Sequence, residues 1–551
     1  MKGALAAPFV FLGAAIAAWG SSQPSPAIWA VSLTLLGAAW LQSGRISPGL
    51  TPLAFAVWAY VVWTIAGTAW IGRFYNPAGL FDPIFLLVGF SLGRAFGRAD
   101  RVRAYAVLGT GVAMLACWAV LQLAFGEARG HARFETPNTL ASLLNLALAP
   151  TIVLLAAGVR SRTLDWLALI LFAGLFSTFS RGAAIALVAG LTLTLVFRTI
   201  KEFHWGDAAR VLVLLMAAGL CIAAALTVRN WLPDLGSASV LAPTADSFSS
   251  RLELYGLAWS AIGERPCCGI GYLGFRAVLE AGRARVPSYA EENITYFVHN
   301  DYLQALLELG IPGLAALLLM VGLPFVLAKR RPPSERDDRR VLVAVLAAVA
   351  TMSVHAMGDF PFHVPICLLL FGLLIGVIDR LIAMPEQIAP RWRSSAARIT
   401  QILLGAGLIT LLARPVVAEA AAAYGMHKWK LADGQAAAFG LELARRFDSR
   451  DWRYHLYAGQ FWFAEAAQTG KPDAARRADE AFAAGIAANP LDTSNRLGRI
   501  FTHIQFASLL PAPASPATLR AWADEALALA PLHPGVRKEY AEVLKLLEAK
   551  R

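Results

Sequence analysis

The stretch LDWLALILFAGLFSTFSRGAAIALVAGLTLTLVFR, residues 164–198, decides the fold. Two apolar runs, 164–180 and 182–198, meet at a short polar break, Ser180-Arg181-Gly182. A helix rises about 1.5 Å per residue, so a run of this length reaches across most of a hydrocarbon core of about 30 Å. Such a pair reads as two membrane helices joined by a turn at one face of the bilayer.

The same pattern recurs on both sides of this stretch. Thirteen spans are predicted, at approximately 4–20, 26–42, 52–72, 80–96, 105–125, 137–158, 164–180, 182–198, 210–228, 311–328, 340–357, 363–382 and 398–414. The chain has 551 residues, of which 57% are hydrophobic and only 16% charged. A soluble chain has a charged fraction nearer ~25%. The deficit falls in the first three quarters, so the last quarter reads as water-soluble. Lys2 followed by an apolar run resembles a signal peptide, but the many later spans make an uncleaved first helix the simpler reading.

The net charge of +12 does not point to nucleic acid, because the basic residues sit in short connections between spans. With a cytoplasmic N-terminus, the even-numbered connections carry Arg45; Arg94, Arg98, Arg101 and Arg103; Arg160 and Arg162; Arg198, Lys201 and Arg210; Lys329, Arg330, Arg331, Arg336, Arg339 and Arg340; and Arg380, Arg391, Arg393 and Arg398. The short connections of the other side carry Arg73, Arg129, Arg133 and Arg181. Twenty against four is the asymmetry of the positive-inside rule. It divides the chain into a nine-span bundle (1–228), a loop outside the membrane (229–310), the remaining spans (311–414) and an external tail (415–551). Cys117, Cys221 and Cys367 fall in spans and are expected to pack in the core. Cys267 and Cys268 are adjacent, which strains a mutual disulfide, and lack metal-ligand spacing.

The tail is expected to be helical. Ala478-Asp479-Glu480-Ala481-Phe482 leads to Asn489-Pro490, and Ala523-Asp524-Glu525-Ala526-Leu527 leads to His533-Pro534. Small residues at helical spacing followed by a proline suggest stacked helix pairs of the tetratricopeptide kind, interrupted by an insertion at 511–516. Such a unit binds a partner or braces a neighbour.

Charged groups at an outer membrane face need a reason to be there. Arg181 defies the charge rule. It fits either a snorkelling interface residue or an anion ligand, because a guanidinium offers phosphate a planar fork. In the loop, Phe248-Ser249-Ser250-Arg251 opens an amphipathic helix whose apolar stripe is read as Leu252, Tyr255, Trp259 and Ile262. Glu264-Arg265-Pro266-Cys267-Cys268-Gly269-Ile270-Gly271-Tyr272 follows, with Gly-x-Gly read as a turn, since no strand precedes it. His299-Asn300-Asp301-Tyr302-Leu303-Gln304 then opens a helix running to Glu308-Leu309-Gly310. A neutral imidazole there can take a proton near neutral pH, with Asp301 as the carboxylate expected to orient it. His355 and Asp359 are four residues apart and are expected on one helical face, as support for the cleft.

Thr178-Phe179-Ser180-Arg181-Gly182, the Arg251 helix ending in Pro-x-x-Gly-x-Gly, and His299-Asn300-Asp301-Tyr302-Leu303-Gln304 with Glu308-Leu309-Gly310 occur in that order. Together they resemble the O-antigen ligase, O-antigen polymerase and protein O-oligosaccharyltransferase superfamily. Thr136-Pro137-Asn138-Thr139-Leu140-Ala141 and Val354-His355-Ala356-Met357-Gly358-Asp359-Phe360-Pro361-Phe362 resemble further family segments, so the likeness spans roughly residues 130 to 380. It implies an all-α polytopic membrane glycosyltransferase of the GT-C type in the bacterial inner membrane, with its active site facing the periplasm. The donor would be a glycan on undecaprenyl diphosphate, transferred with inversion and without metal or other cofactor. By position, Arg181 and Arg251, and more weakly Arg265, would hold the diphosphate. His299 would act on the acceptor hydroxyl, with Asn300, Asp301, His355 and Asp359 behind it.

The acceptor stays open: lipid A-core or another glycan, as in O-antigen ligases and polymerases, or Ser/Thr of a secreted protein. A transporter is disfavoured because no inverted repeat is visible. An assembly scaffold would keep its function without Arg251.

Overall fold

The computed structural model describes all residues except 1–5, 22–24, 44–50, 135, 197–204, 232–246, 283–285, 287–296, 383–394, 532 and 550–551. Of the charges that set the expected sidedness, Arg45, Arg198, Lys201, Arg391 and Arg393 lie outside the described residues. The fold is all-α and polytopic, with twenty-one helices and no strand among the described residues.

Each predicted span coincides with a helix. These are α1 (Ala6–Gly20), α2 (Pro26–Ser43), α3 (Pro52–Ala66), α4 (Ala78–Ala95), α5 (Arg98–Ala124), α6 (Pro137–Ala156), α7 (Arg162–Ser177), α8 (Arg181–Val196) and α9 (Trp205–Trp231). The loop contributes α10 (Ser247–Ile262) and α11 (Phe275–Gly282), and α12 (Asp301–Arg330), α13 (Arg336–His355) and α14 (Pro365–Ile382) follow. α15 (Ser395–Lys430) runs from the last span straight into the tail. The tail continues as α16 (Gly434–Phe447), α17 (Trp452–Thr469), α18 (Pro472–Ala488), α19 (Thr493–Gln505), α20 (Pro516–Leu529) and α21 (Pro534–Ala549), each packed on the next. Among the described residues, eight helices are by length and composition long and apolar enough to cross a membrane, and three shorter apolar ones accompany them.

α4 and α14 pack backbone against backbone. A Cβ on Gly89 or Gly93 would lie 2.1 or 2.2 Å from the carbonyl oxygens of Leu369 or Leu373, and one on Gly372 or Gly376 would lie 2.2 Å from those of Leu86 or Phe90. Small residues four apart on both helices let the backbones touch, which drives association where lipid removes the usual hydrophobic force. Two cysteines depart from expectation: Cys367 is buried, but Cys117 and Cys221 sit on helix faces turned away from the bundle.

The connections sort into the two groups that charge counting gave. On one side, Arg98 pairs with Glu335 and Asp337, Arg101 with Asp338, Arg210 with Asp165 and Arg94 with Asp379. On the other, Gly130 N donates to Ser177 O (2.8 Å), Phe74 N to Ile270 O (2.8 Å) and Asp301 N to Ala356 O (2.8 Å). Contacts that cross between odd- and even-numbered connections would be expected if one span had been miscounted. With the arginine-rich end in the cytoplasm, a Lys471→Cys variant in a cysteine-free background should react with an impermeant thiol reagent from the periplasm. Ser334→Cys should react only after permeabilisation, and labelling of Ser334→Cys in intact cells would reverse the orientation.

The tail docks on the membrane-embedded part. α3 ends in a π-turn at Gly67–Ile71, which leaves carbonyls without helical partners. Arg450 fills that role, donating to Thr68 O (3.1 Å), Ala69 O and Gly72 O (3.4 Å). Tyr75 Oη donates to Asp448 Oδ2 at 2.8 Å. Burial, then the nearby Asp451 carboxylate, push Asp448 up to about 7, against the Tyr75 hydrogen bond and the charges of Arg414 and Arg453. A carboxyl whose folded pKa is raised binds its proton better folded than unfolded, so docking loses stability as pH rises through that range. Hydrogen exchange at residues 447–452 should therefore be faster at about pH 8 than at about pH 5, beyond the intrinsic rate change. Asp448→Asn should flatten the difference, and an unchanged pH response in that variant would remove Asp448 as its source.

Candidate active site

The site is built where the turn after α10, the start of α12 and the end of α13 meet. The Gly-x-Gly segment is a turn, and it plugs into a break in α12. Ile270 N donates to Leu307 O (3.0 Å), Gly271 N to Glu308 O (3.0 Å) and Ile311 N to Pro266 O (2.9 Å). Gly269 and Gly271 take φ of +69° and +109°, and a Cβ on Gly269 would lie 2.2 Å from Glu308 O. Only glycine fits at that approach. α12 itself breaks at Gly310 (φ 69°, ψ −170°), which separates its first nine residues from the long apolar part.

Those first residues carry a buried polar network. Asn300 caps α12, its Oδ1 accepting from Tyr302 N and Leu303 N at 3.1 Å. Asp301 does not orient His299. Its Oδ2 accepts from Phe362 N (2.8 Å) and its Oδ1 meets His363 Nδ1 at 2.6 Å. His363 Nε2 lies 3.4 Å from Glu308 Oε2, and Glu308 also receives Gln304 Nε2 (3.0 Å) and the Leu273 N–H (2.9 Å). Asp301 therefore holds the α13–α14 turn against α12. Its side chain lies at the first residue of the helix, where the Phe362 N–H and His363 saturate it.

The carboxylate beside His299 is Asp359. His299 Nδ1 and Asp359 Oδ1 are 3.3 Å apart. With Nδ1–H donating to that oxygen, Nε2 is left as the acceptor nitrogen. His355 Nε2 lies 3.8 Å from Asp359 Oδ2, and His355 Nδ1 is 3.0 Å from Ser142 Oγ. Asp359 is not on the helical face with His355 as the spacing predicted. α13 ends at His355, and Asp359 follows a turn in which Met357 N and Gly358 N bond back to Val354 O and His355 O. Burial would raise the Asp359 carboxyl, but the hydrogen bond from His299 and the charges of His299, His355 and Arg251 outweigh it and hold it below the usual range. His299 has φ of +60°, uncommon for a residue with a side chain, and its carbonyl accepts from Tyr255 Oη at 2.9 Å. Its ring packs edge-on against Phe360.

Arg129 and Arg251 act on Asp359 by charge and Arg181 acts on Arg129, and of these three arginines Arg129 is the one that the sequence reading missed. Arg181 is the first residue of α8, exposed, and stands two residues after Phe179, which also takes a positive φ of 49°. The break is capped by Ser180, whose Oγ accepts from Ala183 N at 3.3 Å. Arg251 lies on α10, with its Nη1 3.7 Å from where a Cβ on Gly358 would stand, one residue from Asp359. Arg129 is held by Thr178 O (2.7 Å) and Asn138 Oδ1 (3.2 Å). Burial first, then the charge of Arg181 and more weakly that of Arg251, draw Arg129 below the usual arginine value while Asp359 opposes them, so these four charges share one neighbourhood. Among the described residues no carboxylate forms an ion pair with Arg129, Arg181 or Arg251.

Arg265 is not brought to this cluster. It is exposed beyond the end of α10, so the helix from Arg251 to Ile262 puts about 16 Å between the two. The stripe of α10 is also displaced: Leu254, Leu257 and Ala258 are buried, whereas Leu252 and Trp259 are 51% and 67% exposed. Apolar residues run around more than one face of α10, so helical spacing admitted two stripes. Among the described residues no set of three His, Cys, Asp or Glu side chains is gathered as a metal site.

Residues 166–318 match the O-antigen ligase family model, Wzy_C. Over that stretch, less than a third of its length, the chain is similar to this family. The match takes in Arg181, Arg251, His299, Asn300 and Asp301, whereas Arg129, His355 and Asp359 lie outside it. No curated protein matches the chain. The similarity is to a family of O-antigen ligases, and it falls on a chain whose described residues form a multi-pass helical fold.

Proposed function

We propose that the chain transfers a glycan from undecaprenyl diphosphate to a hydroxyl of an acceptor at the periplasmic face, as an O-antigen ligase or polymerase. The observation that carries this reading is the gathering of Arg129, Arg181 and Arg251, without carboxylate ion-pair partners among the described residues, around the His299–Asp359 pair.

The chemistry follows from these groups. His299 Nε2 takes the proton of the acceptor hydroxyl, and Asp359 stabilises the resulting imidazolium. The acceptor oxygen attacks the anomeric carbon from the face opposite the phosphate, which inverts the centre. The glycosyl C–O bond breaks with its electron pair leaving on the diphosphate. Guanidiniums placed around the departing diphosphate stabilise that growing charge. They would take the place that a divalent ion holds in sugar-nucleotide enzymes. Arg129, fixed by Thr178 and Asn138, also holds the break that presents Arg181.

Purified chain, one lipid-linked glycan and three acceptors (lipid A-core, a second lipid-linked glycan and a pilin-type protein) test the reading. Transfer to lipid A-core or to the second glycan is expected, and it should survive prolonged chelation. Transfer to the protein alone would make the chain an O-oligosaccharyltransferase. Loss on chelation with rescue by a divalent ion would overturn the arginine clamp.

A further inference from the structure

The α13–α14 turn carries a second imidazole, which the chemistry above does not use. His363 is buried between two carboxylates that are themselves buried: its Nδ1 lies 2.6 Å from Asp301 Oδ1 and its Nε2 lies 3.4 Å from Glu308 Oε2. The Tyr272 ring stacks on it with centroids 4.9 Å apart, and Tyr272 Oη is anchored on Asp82 Oδ2 at 2.9 Å. Phe297 meets it edge-on at 5.9 Å. With both ring nitrogens engaged and the ring enclosed, His363 is not placed to take a proton from an acceptor. Its position points to another task.

Two arms run from His363 to the His299–Asp359 pair. The first passes through Asp301. Asp301 Oδ2 accepts the Phe362 N–H and the Asp301 N–H donates to Ala356 O, both at 2.8 Å, so the first residue of α12 grips the turn that carries Asp359 and Phe360. The second passes through Glu308. Gln304 Nε2 donates to Glu308 Oε1 and Gln304 Oε1 accepts the Val298 N–H, both at 3.0 Å. Val298 directly precedes His299, whose φ of +60° persists only where the surroundings over-determine it. An aromatic path runs beside them: Phe297 stacks on Phe360 at 3.8 Å, and Phe360 lies edge-on to His299 at 5.2 Å. One imidazole therefore joins the arm that holds His299 to the arm that holds its carboxylate.

We propose that His363 is a positioning residue for glycan transfer: by bridging Asp301 and Glu308 it sets the approach of His299 to Asp359, and Gln304 carries that hold to the His299 backbone. Without the bridge, two buried carboxylates lose the group between them, and the start of α12 and the α13–α14 turn are free to shift apart. The inference rests on the reading of His299 as the base.

The test uses the full chain in nanodiscs, with a lipid-linked glycan and lipid A-core. His363→Leu should lower kcat by about a hundredfold, the cost of a misplacement of about 1 Å. Gln304→Leu cuts one arm, leaves the bridge in place and should lower kcat by about tenfold, which keeps the test valid if the His363→Leu chain folds poorly. Donor KM should hardly change in either, because Arg129 is held by Thr178 and Asn138, outside this network. In a His299→Gln background neither substitution should lower kcat further, since misplacing a group already removed costs nothing. Hydrogen exchange in peptides covering 297–304 and 358–363 should accelerate in both variants, while the α4–α14 contact stays protected. Losses that multiply in the double variants would mark a role in the fold at large and overturn the positioning role. Wild-type kcat in both single variants, or unchanged exchange in both peptides, would overturn it as well. Normal turnover by His299→Gln would refute the base reading and the positioning role with it, whereas multiplied losses on top of a His299→Gln defect refute the positioning role alone.

Discussion

His299→Gln should lower turnover by about 10²–10⁴, the range of a positioned general base. Donor affinity should change little, because on this account the arginines would supply most of it. Glutamine keeps a hydrogen-bonding group near Asp359 but cannot carry a proton between acceptor and solvent. Asp359 fixes which nitrogen is free, since its Oδ1 sits 3.3 Å from Nδ1. Normal turnover by the glutamine variant would exclude the base role. Collapse of donor affinity in parallel would make His299 a diphosphate ligand instead.

Arg181→Lys should lose about tenfold to a hundredfold in turnover although the charge is kept, because an ammonium cannot reproduce a two-pronged donor. The fold should survive, since Arg181 is exposed at the first position of α8 and the break is capped by Ser180. The loss should appear in kcat more than in KM, because the charge being stabilised develops as the leaving group departs. Steady-state kinetics in detergent or nanodiscs, with thermal unfolding as the control, decides this. Wild-type turnover by the lysine variant would remove Arg181 from the clamp.

The fold was legible in the sequence because hydropathy and charge are local properties of a run. Each apolar run became a helix, and the two sets of connections separated as the arginines indicated. Contacts that close between distant segments were not legible. Asp359 was found as a residue but paired wrongly, because its partner His299 lies sixty positions away and the turn after α13 carries it off the helix. Asp301 stands beside His299 in the sequence, yet His363, sixty-two positions on, occupies it. Arg129 belongs to no motif. The signal that could have found it was a charge in an external connection, contrary to the charge rule, just before the Thr136-Pro137-Asn138 element that holds it. Arg265 was read from its nearness in sequence to the glycine turn, and the length of α10 sets it apart from Arg251.

The most direct test of the central claim follows the leaving group. Purified chain is given a glycosyl undecaprenyl diphosphate and lipid A-core in the presence of chelator, and the lipid products are measured by mass spectrometry. The account predicts undecaprenyl diphosphate released one for one with transferred glycan by the wild type, with release and transfer falling together in His299→Gln and Arg181→Lys. Undiminished transfer by a chain carrying both substitutions, or transfer that leaves the lipid diphosphate uncleaved, would contradict it.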